Sequence, residues 1–199
     1  MTSATRRRQH DSTSLLQVAV RLFNERGYDG TSMDAVAAAA GITKSSIYHH
    51  FSGKEAMLAR VLDRAVADLD AAIVPAEQLR SDGGEPLAAV ETVIRRTAAA
   101  LMANVDGVTL FLRVRGNSET ERRAIEHRRA FDRRVTALIT AAAAAGQLRD
   151  DLDPGLVTRI VFGAINSLIE WYRPGGDLDP QAIEDQITAL ALDGLRRRT

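Results

Sequence analysis

Cysteine is absent from the sequence, which excludes disulfide bonds, thiolate metal sites and thiol catalysis. Apolar runs of the roughly 20 residues that a membrane-spanning helix needs are also absent, so we expect no membrane partner. The first ten residues are polar and basic, and they lack the apolar segment of a secretory signal. Together these absences predict a cytoplasmic protein.

Strand patterns are missing as well. No segment alternates apolar and polar residues cleanly, whereas apolar residues recur at helical spacing from Leu15 onward. A first helix would include Leu15 and Phe23 and would end at Gly27. Capping acids stand directly before Pro154 and Pro180, which predicts the starts of the last two helices. We therefore predict an all-α fold of about nine helices.

Other helix boundaries follow from capping residues and helix breakers. Thr31, with an acid three residues later, indicates the start of a second helix. Ser52 and Glu55 form a similar pattern ahead of a long helix, which we expect to end at Pro75. The segment 77–86 then has the composition of a loop.

Charge is distributed unevenly, although the formal net charge is zero. Residues 1–60 contain eight basic and five acidic side chains, so they carry +3 and the remainder carries −3. A basic head on a slightly acidic body is typical of a small DNA-binding module attached to a second domain. We therefore place the domain boundary between residues 1–60 and 61–199.

The segment 31–51 has the pattern of a helix-turn-helix. Two short helices are joined at Gly41, where a glycine allows the second helix to cross the first steeply. Only Ile47 and Phe51 of the second helix are strongly apolar, and its other side chains are cationic or form hydrogen bonds. A helix with a free polar face suits the major groove of DNA. A solvated surface helix would show the same pattern, so the residues alone leave both interpretations open.

Motifs of one family run densely and without gaps through residues 16–62. They are Ala19-Val20-Arg21-Leu22-Phe23, Arg26-Gly27-Tyr28, Thr31-Ser32-Met33, Val36-Ala37, Ala40-Gly41-Ile42, Ser46-Ile47-Tyr48-His49-His50-Phe51 and Lys54-Glu55. This stretch resembles the DNA-binding domain of the TetR family of bacterial repressors. The resemblance implies an N-terminal three-helix domain that contains the helix-turn-helix, and a C-terminal helical domain for ligand binding and dimerisation. The implied function is that of a ligand-responsive repressor, which a small-molecule effector releases from a palindromic DNA operator.

The resemblance also implies which residues contact DNA. Thr31 and Ser32 would bind backbone phosphates, and Lys54 would hold a phosphate at the start of the following helix. By position, the set that contacts bases and phosphates is Thr43, Lys44, Ser45, Ser46, Tyr48 and His49.

Neighbouring residues admit other roles. Tyr28, Ile47 and Phe51 favour a core position over a DNA contact, whereas His50 fits either. The arginines at 6–8 fit a flexible arm that adds nonspecific affinity for DNA, and they fit a solvated tail equally well.

The last two helices predict a homodimer. The helix 154–172 is apolar nearly all round, and a helix of that kind is buried on more than one side. The last helix carries a narrow apolar seam that includes Ile183, Ile187 and Gly194. Twofold pairing of both helices explains these patterns and suits a palindromic operator. The alternative is a fully internal helix pair in a monomer.

Polar residues on otherwise apolar helices are the candidates for a ligand pocket, because burying them costs free energy unless they are paired. These candidates are Asn104, Arg113, Asn166 and Glu170. The segment 171–176 resembles TetR-family members that respond to acyl-CoA thioesters, and this resemblance adds Trp171 to the pocket. It implies an acyl-CoA thioester or another hydrophobic metabolite as the effector.

The charge of the ligand is not decided by these patterns. An arginine-rich helix at about 119–145 would suit a phosphorylated ligand, but acids alternate with its arginines, which favours an ion-paired solvent face. Glu170 favours a cationic or hydroxylated ligand instead.

Other function classes have less support. The four histidines show no metal-ligand spacing, and no glycine-rich phosphate loop or nucleophile elbow is recognisable, so we expect neither catalysis nor a cofactor. An all-α interaction module would lack the steep salt-dependent affinity for duplex DNA that a regulator shows. The residues do not separate an activator from a repressor.

Overall fold

The computed structural model describes residues 11–196. Over that range the chain forms helices and no strand, apart from an isolated antiparallel bridge between Leu148 and Arg196. The helical segments are α1 (Ser12–Arg26), α2 (Met33–Ala40), α3 (Lys44–Tyr48), α4 (Lys54–Ser81), α5 (Pro86–Ala103), α6 (Val105–Arg113), α7 (Glu119–Ala144), α8 (Pro154–Asn166), α9 (Leu168–Trp171) and α10 (Pro180–Leu195).

Ser167 alone separates α8 from α9, so these two segments form one interrupted helix and the described part of the chain has nine helices. The predicted all-α fold of about nine helices is confirmed. Between residues 11 and 196, no helix combines the length and the apolar content required to cross a membrane.

The chain divides into two compact units, Met1–Val61 and Leu62–Thr199, and the division falls inside α4. In the first unit, α2 packs against both α1 and α3. Leu15, Phe23 and Val36 are among the side chains buried between these helices. This packing forms the three-helix arrangement that the sequence predicts.

Polar caps and glycines define the helix ends as expected. The carboxylate of Asp153 accepts from the backbone N–H of Leu156 at 2.7 Å, and that of Asp179 accepts from Gln181 at 3.2 Å. Each acid stands before a proline in the first turn of its helix. Gly27, with φ of 79°, ends α1. These three boundaries confirm the predictions.

The second unit is built around α5, which packs against α7, α8 and α10. Val90, Val93 and Ile94 of α5 are buried in its core. α8 also packs against α7, where the rings of Phe131 and Phe162 meet edge to face with centroids 5.4 Å apart.

The structure corrects the predicted end of α4. The helix continues through Pro75 to Ser81, so the predicted loop 77–86 shrinks to residues 82–85. Proline removes one backbone hydrogen bond from a helix interior, but the buried side chains around it, including Ile73, hold this stretch in place.

Arg134 of α7 also holds α4 on both sides of Pro75. Its guanidinium donates to Asp70 at 2.7 Å, five residues before the proline. It also donates twice to Glu77, at 2.8 and 2.6 Å, two residues after the proline. One side chain of another helix therefore bridges the weak point in the backbone of α4.

Candidate nucleic-acid interface and ligand cavity

The turn between α2 and α3 is formed by Gly41, Ile42 and Thr43. Gly41 has φ of 69°, in the left-handed region where glycine is unstrained, and it ends α2. Thr43 caps α3, because its hydroxyl accepts from the backbone N–H of Ser46 at 3.2 Å. The turn is therefore fixed at both ends by backbone hydrogen bonding and not by side-chain packing alone.

The two faces of α3 differ sharply in exposure. Ile47 is fully buried, and Phe51 just beyond the helix is buried beside it. Lys44, Ser45 and His49 are exposed, and the Tyr48 side chain retains 45% of its accessible surface. The expectation that Ile47 and Phe51 belong to the core is confirmed. The opposite face is a row of hydrogen-bonding groups open to solvent.

Lys44 is held at the surface by an acid of α2. Its ammonium lies 3.0 Å from a carboxylate oxygen of Asp34, and both side chains are mostly exposed. The hydrogen bond with Asp34 raises the pKa of Lys44 above its ordinary value, so the ammonium stays charged. An exposed pair of this kind contributes little to stability and leaves the cation accessible to a phosphate.

The start of α2 corrects the prediction for Thr31. Ser32, not Thr31, caps the helix, because its hydroxyl accepts from the Ala35 amide at 3.1 Å. The Thr31 side chain is only 2% exposed, and its hydroxyl donates to the carbonyls of Gly27 at 2.8 Å and Leu22 at 3.3 Å. Thr31 therefore closes the α1–α2 turn from inside, whereas Ser32 remains exposed.

The start of α4 also differs from expectation. The carbonyl of Gly53 accepts from Met57, which places the cap one residue after the predicted Ser52. The Lys54 ammonium donates to the carbonyl of Tyr28 at 2.8 Å and lies 4.3 Å from the centroid of its ring. The Tyr28 hydroxyl in turn donates to Glu55 at 2.8 Å. Lys54 is thus engaged with the α1–α2 loop, a role that the sequence analysis missed.

Tyr28 itself has the packing role that the sequence favoured. Its ring meets that of Phe23 edge to face at 5.2 Å. His50 is exposed at the end of α3. The proposed arginine arm at residues 6–8 lies outside the described residues.

The second unit contains a partly open cavity of about 280 Å³ lined by α4, α5, α6, α7 and α8. Its wall is mainly apolar, and six polar side chains interrupt it. The apolar residues are Ala65, Leu69, Ala100, Leu101, Val108, Phe111, Leu112, Phe131, Phe162 and Gly163; the polar ones are Asp68, Thr97, Arg128, Asp132, Arg159 and Asn166.

Of the five predicted pocket residues, only Asn166 lines this cavity. Arg113, Glu170 and Trp171 are exposed, and the indole N–H of Trp171 donates to Ser167 at 3.4 Å. Asn104 does not line the cavity, but its amide donates at 3.2 Å to the carboxylate of Asp68, which does. The other four residues therefore lie outside this cavity wall, because the direction that a helical side chain faces depends on how the body helices cross.

The arginine-rich α7 is more than a solvent face. Arg122 pairs with Glu119 at 2.8 Å as expected, but Arg128 and Asp132 line the cavity. Glu121 is buried, and its carboxylate accepts from the backbone N–H groups of residues 115–117. The i, i+4 spacing of Arg128 and Asp132 beside buried Phe131 is the signal that sequence analysis could have used.

Asp132 has an unusual electrostatic setting within the cavity wall. Its burial raises the pKa of the carboxyl, and the neighbouring guanidinium groups of Arg128, Arg159 and Arg133 oppose that effect only in part. The carboxylate is therefore a weaker acid than an exposed aspartate.

A second surface of this unit is exposed and apolar. On α8, Ile160 retains 71% of its accessible surface and Leu156 is exposed beside it. On α10, Leu190 retains 77%. Large aliphatic side chains at this exposure are typical of a surface that another protein covers.

A helix-turn-helix with a free polar recognition face, in one chain with a helical unit that encloses a cavity, defines a DNA-binding regulator of the ligand-sensing class. The sequence profile described as "Bacterial regulatory proteins, tetR family" matches residues 15–61. The profile described as "Tetracyclin repressor-like, C-terminal domain" matches residues 83–195, more than half of the chain. The chain belongs to the TetR family of bacterial transcriptional regulators, as its motifs predicted.

Individual relatives agree with this membership over nearly the whole chain. The HTH-type transcriptional repressor KstR2 of Rhodococcus jostii is 30% identical over 186 residues, which cover 92% of this chain and 90% of the relative. SCO3833, a TetR-family regulator of Streptomyces coelicolor A3, is 46% identical in sequence to this chain. Its crystal structure superposes with a TM-score of 0.84 over 99% of this chain and 96% of SCO3833. The structure of the ketosteroid transcriptional regulator KstR2 of Mycobacterium tuberculosis, which is 25% identical in sequence, superposes with a TM-score of 0.84. The match covers 96% of this chain and 97% of that chain.

Proposed function

We propose that this chain is a ligand-responsive repressor, which binds a palindromic operator as a homodimer and leaves it when a small hydrophobic effector binds. The observation that carries the proposal is the free polar face of α3, opposite a fully buried Ile47 and directly after a glycine turn. Relatives named as repressors support repression of transcription over activation. The action is binding rather than catalysis, and it takes place in the cytoplasm, where operator DNA is accessible.

The DNA-contacting residues in this proposal lie on and beside α3. Lys44, Ser45, Tyr48 and His49 face solvent there and carry the base and phosphate contacts. Ser46 and Thr43, whose hydroxyls lie 2.8 Å apart, position the start of the helix and contact the backbone of the DNA. The other proposed contact is that of Ser32 with a phosphate.

Two residues of the family pattern receive internal roles instead. The Thr31 hydroxyl is buried and used within the protein, so we remove Thr31 from the phosphate-binding set. Lys54 holds the α1–α2 loop through the carbonyl and the ring of Tyr28. Its ammonium also donates to the Asp29 carbonyl at 3.5 Å, so we propose a phosphate contact for Lys54 only as a secondary role.

The homodimer in this proposal forms through the last two helices. The exposed aliphatic side chains of α8 and α10 support this assignment, because a monomer would leave Leu156, Ile160 and Leu190 in water. A twofold pair of these helices places two copies of α3 in one particle, as a palindromic operator requires.

The cavity of the second unit is the proposed effector site. Its aromatic and aliphatic wall suits a hydrophobic metabolite. Acyl-CoA thioesters belong to this class, and the name of the ketosteroid regulator KstR2 also fits it. Ala65, Asp68 and Leu69 of the cavity wall belong to α4, the helix that continues into the DNA-binding unit. An effector that moves these residues therefore acts on a helix shared by both units.

The test is a selection of operator DNA from a random duplex library at moderate salt, followed by sequencing of the bound fraction. We expect one palindrome to be enriched, and we expect Lys44→Ala and Tyr48→Ala to reduce affinity for it by about 1–3 kcal/mol each. Arg149→Ala, a charge change at a partly exposed position of the second unit, is the matched control and should bind normally. Failure to enrich any sequence, with weak binding even at low salt, would exclude the repressor and favour an interaction module.

A further inference from the structure

The cavity of the second unit contains more cationic donors than its own contacts use. The guanidinium of Arg128 makes one hydrogen bond, to the carbonyl of Leu112 at 3.2 Å, and it has five N–H donors. Arg159 lines the cavity but is exposed; within residues 11–196 its side chain makes no hydrogen bond or close ion pair, and it interacts with Asp132 only at longer range. Unused guanidinium donors in a partly enclosed site favour a carboxylate or phosphate.

The acids of the cavity do not neutralise these arginines. Asp68 is already paired with Arg64 at 2.9 Å and accepts from Asn104 at 3.2 Å. Asp132 remains, and its single carboxylate interacts at longer range with both Arg128 and Arg159, so it balances only one of the two positive charges. A cationic ligand would therefore face two guanidinium groups and only one unpaired carboxylate, which disfavours its binding.

Thr97 supplies a third polar group from α5. The residue lines the cavity, is only 5% exposed, and its hydroxyl oxygen has no hydrogen-bond partner. Buried hydroxyls without partners are rare because they cost free energy. Rotation about χ1 exchanges the hydroxyl with the methyl group, and no existing hydrogen bond opposes that rotation. The hydroxyl is thus available to a ligand atom.

We propose that the effector is an amphipathic anion whose negative group binds Arg128 and Arg159 and whose apolar body carries an oxygen that accepts from Thr97. The apolar body lies against Phe111, Phe131 and Phe162. This inference rests on the proposed function in one respect, that the cavity is the effector site. It adds the charge of the ligand and the positions of its two polar ends.

The first experiment compares head groups on one chain length by calorimetry with the full-length protein and no DNA. The probes are decanoate, decan-1-ol and decylamine, below their aggregation concentrations. We expect decanoate to bind at least about tenfold more tightly than the other two, which is about 1.4 kcal/mol. Equal affinity for the alcohol, or tighter binding of the amine, would overturn the anionic assignment.

Decanoyl-CoA is a fourth probe that separates two sources of the same chemistry. Tighter binding of decanoate identifies a carboxylate at the arginines, whereas tighter binding of decanoyl-CoA identifies a phosphate. Absence of binding for both, with the protein folded, would overturn the proposal.

Variants then locate the anionic group. Arg159→Gln and Arg128→Gln should each weaken binding of the preferred anion about tenfold and leave that of decan-1-ol unchanged. Arg129→Gln removes the same charge from an exposed position on α7 outside the cavity wall, so it is the matched control. Equal losses in the control and the cavity variants would mean that the long-range field, not a binding site, attracts the anion.

The Thr97 contact is tested with 9-oxodecanoate and decanoate. Thr97→Val replaces the hydroxyl with a methyl group of similar size, so the fold is preserved and only the donor is lost. We expect it to weaken binding of the oxo acid several-fold and not that of decanoate. Equal effects on both acids would remove Thr97 from the proposal.

These measurements separate the inference from the proposed function. Anion binding without release from the operator would leave the site intact and contradict its role as an effector site. Operator binding with no preference among head groups would leave the repressor intact and contradict the inference.

Discussion

Thr31 and Ser32 are adjacent, but their hydroxyls have different structural roles. The Thr31 hydroxyl is directed inward to the carbonyls of Gly27 and Leu22, whereas the Ser32 hydroxyl caps α2 at the surface. Both residues precede a helix that supports the proposed DNA-reading helix. A change at either position therefore affects stability, but only Ser32 is exposed to a phosphate.

Thr31→Val should lower the free energy of unfolding by about 1–2 kcal/mol, because the buried hydrogen bonds are lost while the shape is kept. Urea denaturation measures this, and Ser32→Ala is the comparison, with an expected loss of about 1 kcal/mol for a helix cap. Operator affinity should be unchanged in Thr31→Val and reduced in Ser32→Ala. Weaker operator binding by a folded Thr31→Val protein would return Thr31 to the phosphate-contacting set.

Asp132 predicts a dependence of stability on pH. Burial raises its pKa in the folded state, so the folded protein retains the proton to higher pH than the unfolded chain does. Ionisation of Asp132 therefore lowers stability as the pH rises above its ordinary pKa of 3.8. The groups that face it are Arg128, Arg133 and Arg159, with Asp68 in the same cavity wall.

Asp132→Asn removes the charge but keeps the size of the side chain. Its melting temperature should exceed that of the unmodified protein at about pH 7, and the advantage should vanish at about pH 3, where Asp132 is protonated in both states. Thermal melts at several pH values measure this difference. A difference that stays constant with pH would show that the pKa of Asp132 is not raised.

At the scale of the helix, α4 depends on a contact from outside itself. Its backbone lacks one hydrogen bond at Pro75, and Arg134 of α7 holds Asp70 and Glu77 on either side of that point. Arg134 is about one-third exposed, so solvent screens these pairs in part. The bidentate geometry with Glu77 makes the contact stronger than an ordinary surface pair.

Arg134→Gln should lower the free energy of unfolding by about 1–2 kcal/mol at neutral pH. Arg133→Gln, at the exposed neighbouring position, is the matched control and should change it by less than about 0.5 kcal/mol. The hydrogen bond from Arg134 lowers the pKa of Glu77, so its stabilisation is present above the ordinary pKa of 4.5 and is lost as the pH falls through the lowered value. Urea denaturation should therefore show that Arg134→Gln and the unmodified protein differ in free energy of unfolding at neutral pH but not in acid. A difference that persists in acid would contradict the ion-pair explanation.

At the scale of the whole molecule, the exposed aliphatic side chains of α8 and α10 predict a dimer. Ile160→Asp combined with Leu190→Asp should give a monomer in sedimentation velocity at micromolar concentration, because a charge at each position cannot be buried between subunits without a partner. Affinity for a palindromic operator should fall at least about 100-fold, since one particle no longer holds both half-sites.

Val74→Asp is the control for these changes. Val74 is also an exposed aliphatic residue, but it lies on α4 and not on α8 or α10. This variant should remain dimeric and bind DNA normally. Monomers in the control, or dimers in the double variant, would remove α8 and α10 from the interface.

Local features of the chain were predictable from the sequence because they depend on neighbours in the chain. The caps at Asp153 and Asp179, the glycine end of α1 and the buried Ile47 follow from hydrogen bonding and periodicity within a few residues. The density of motifs in residues 16–62 similarly determined the family, and the helix-turn-helix followed from it.

Features that join distant segments were decided only by the tertiary structure. The sequence alone determined a nine-helix regulator with a polar reading helix. It did not determine that α4 continues past Pro75, because the stabilising Arg134 is more than fifty residues away. The cavity wall, with Thr97, Arg128 and Arg159, depends likewise on how five helices cross, and a polar residue on a helix carries no local signal of the direction it faces after packing.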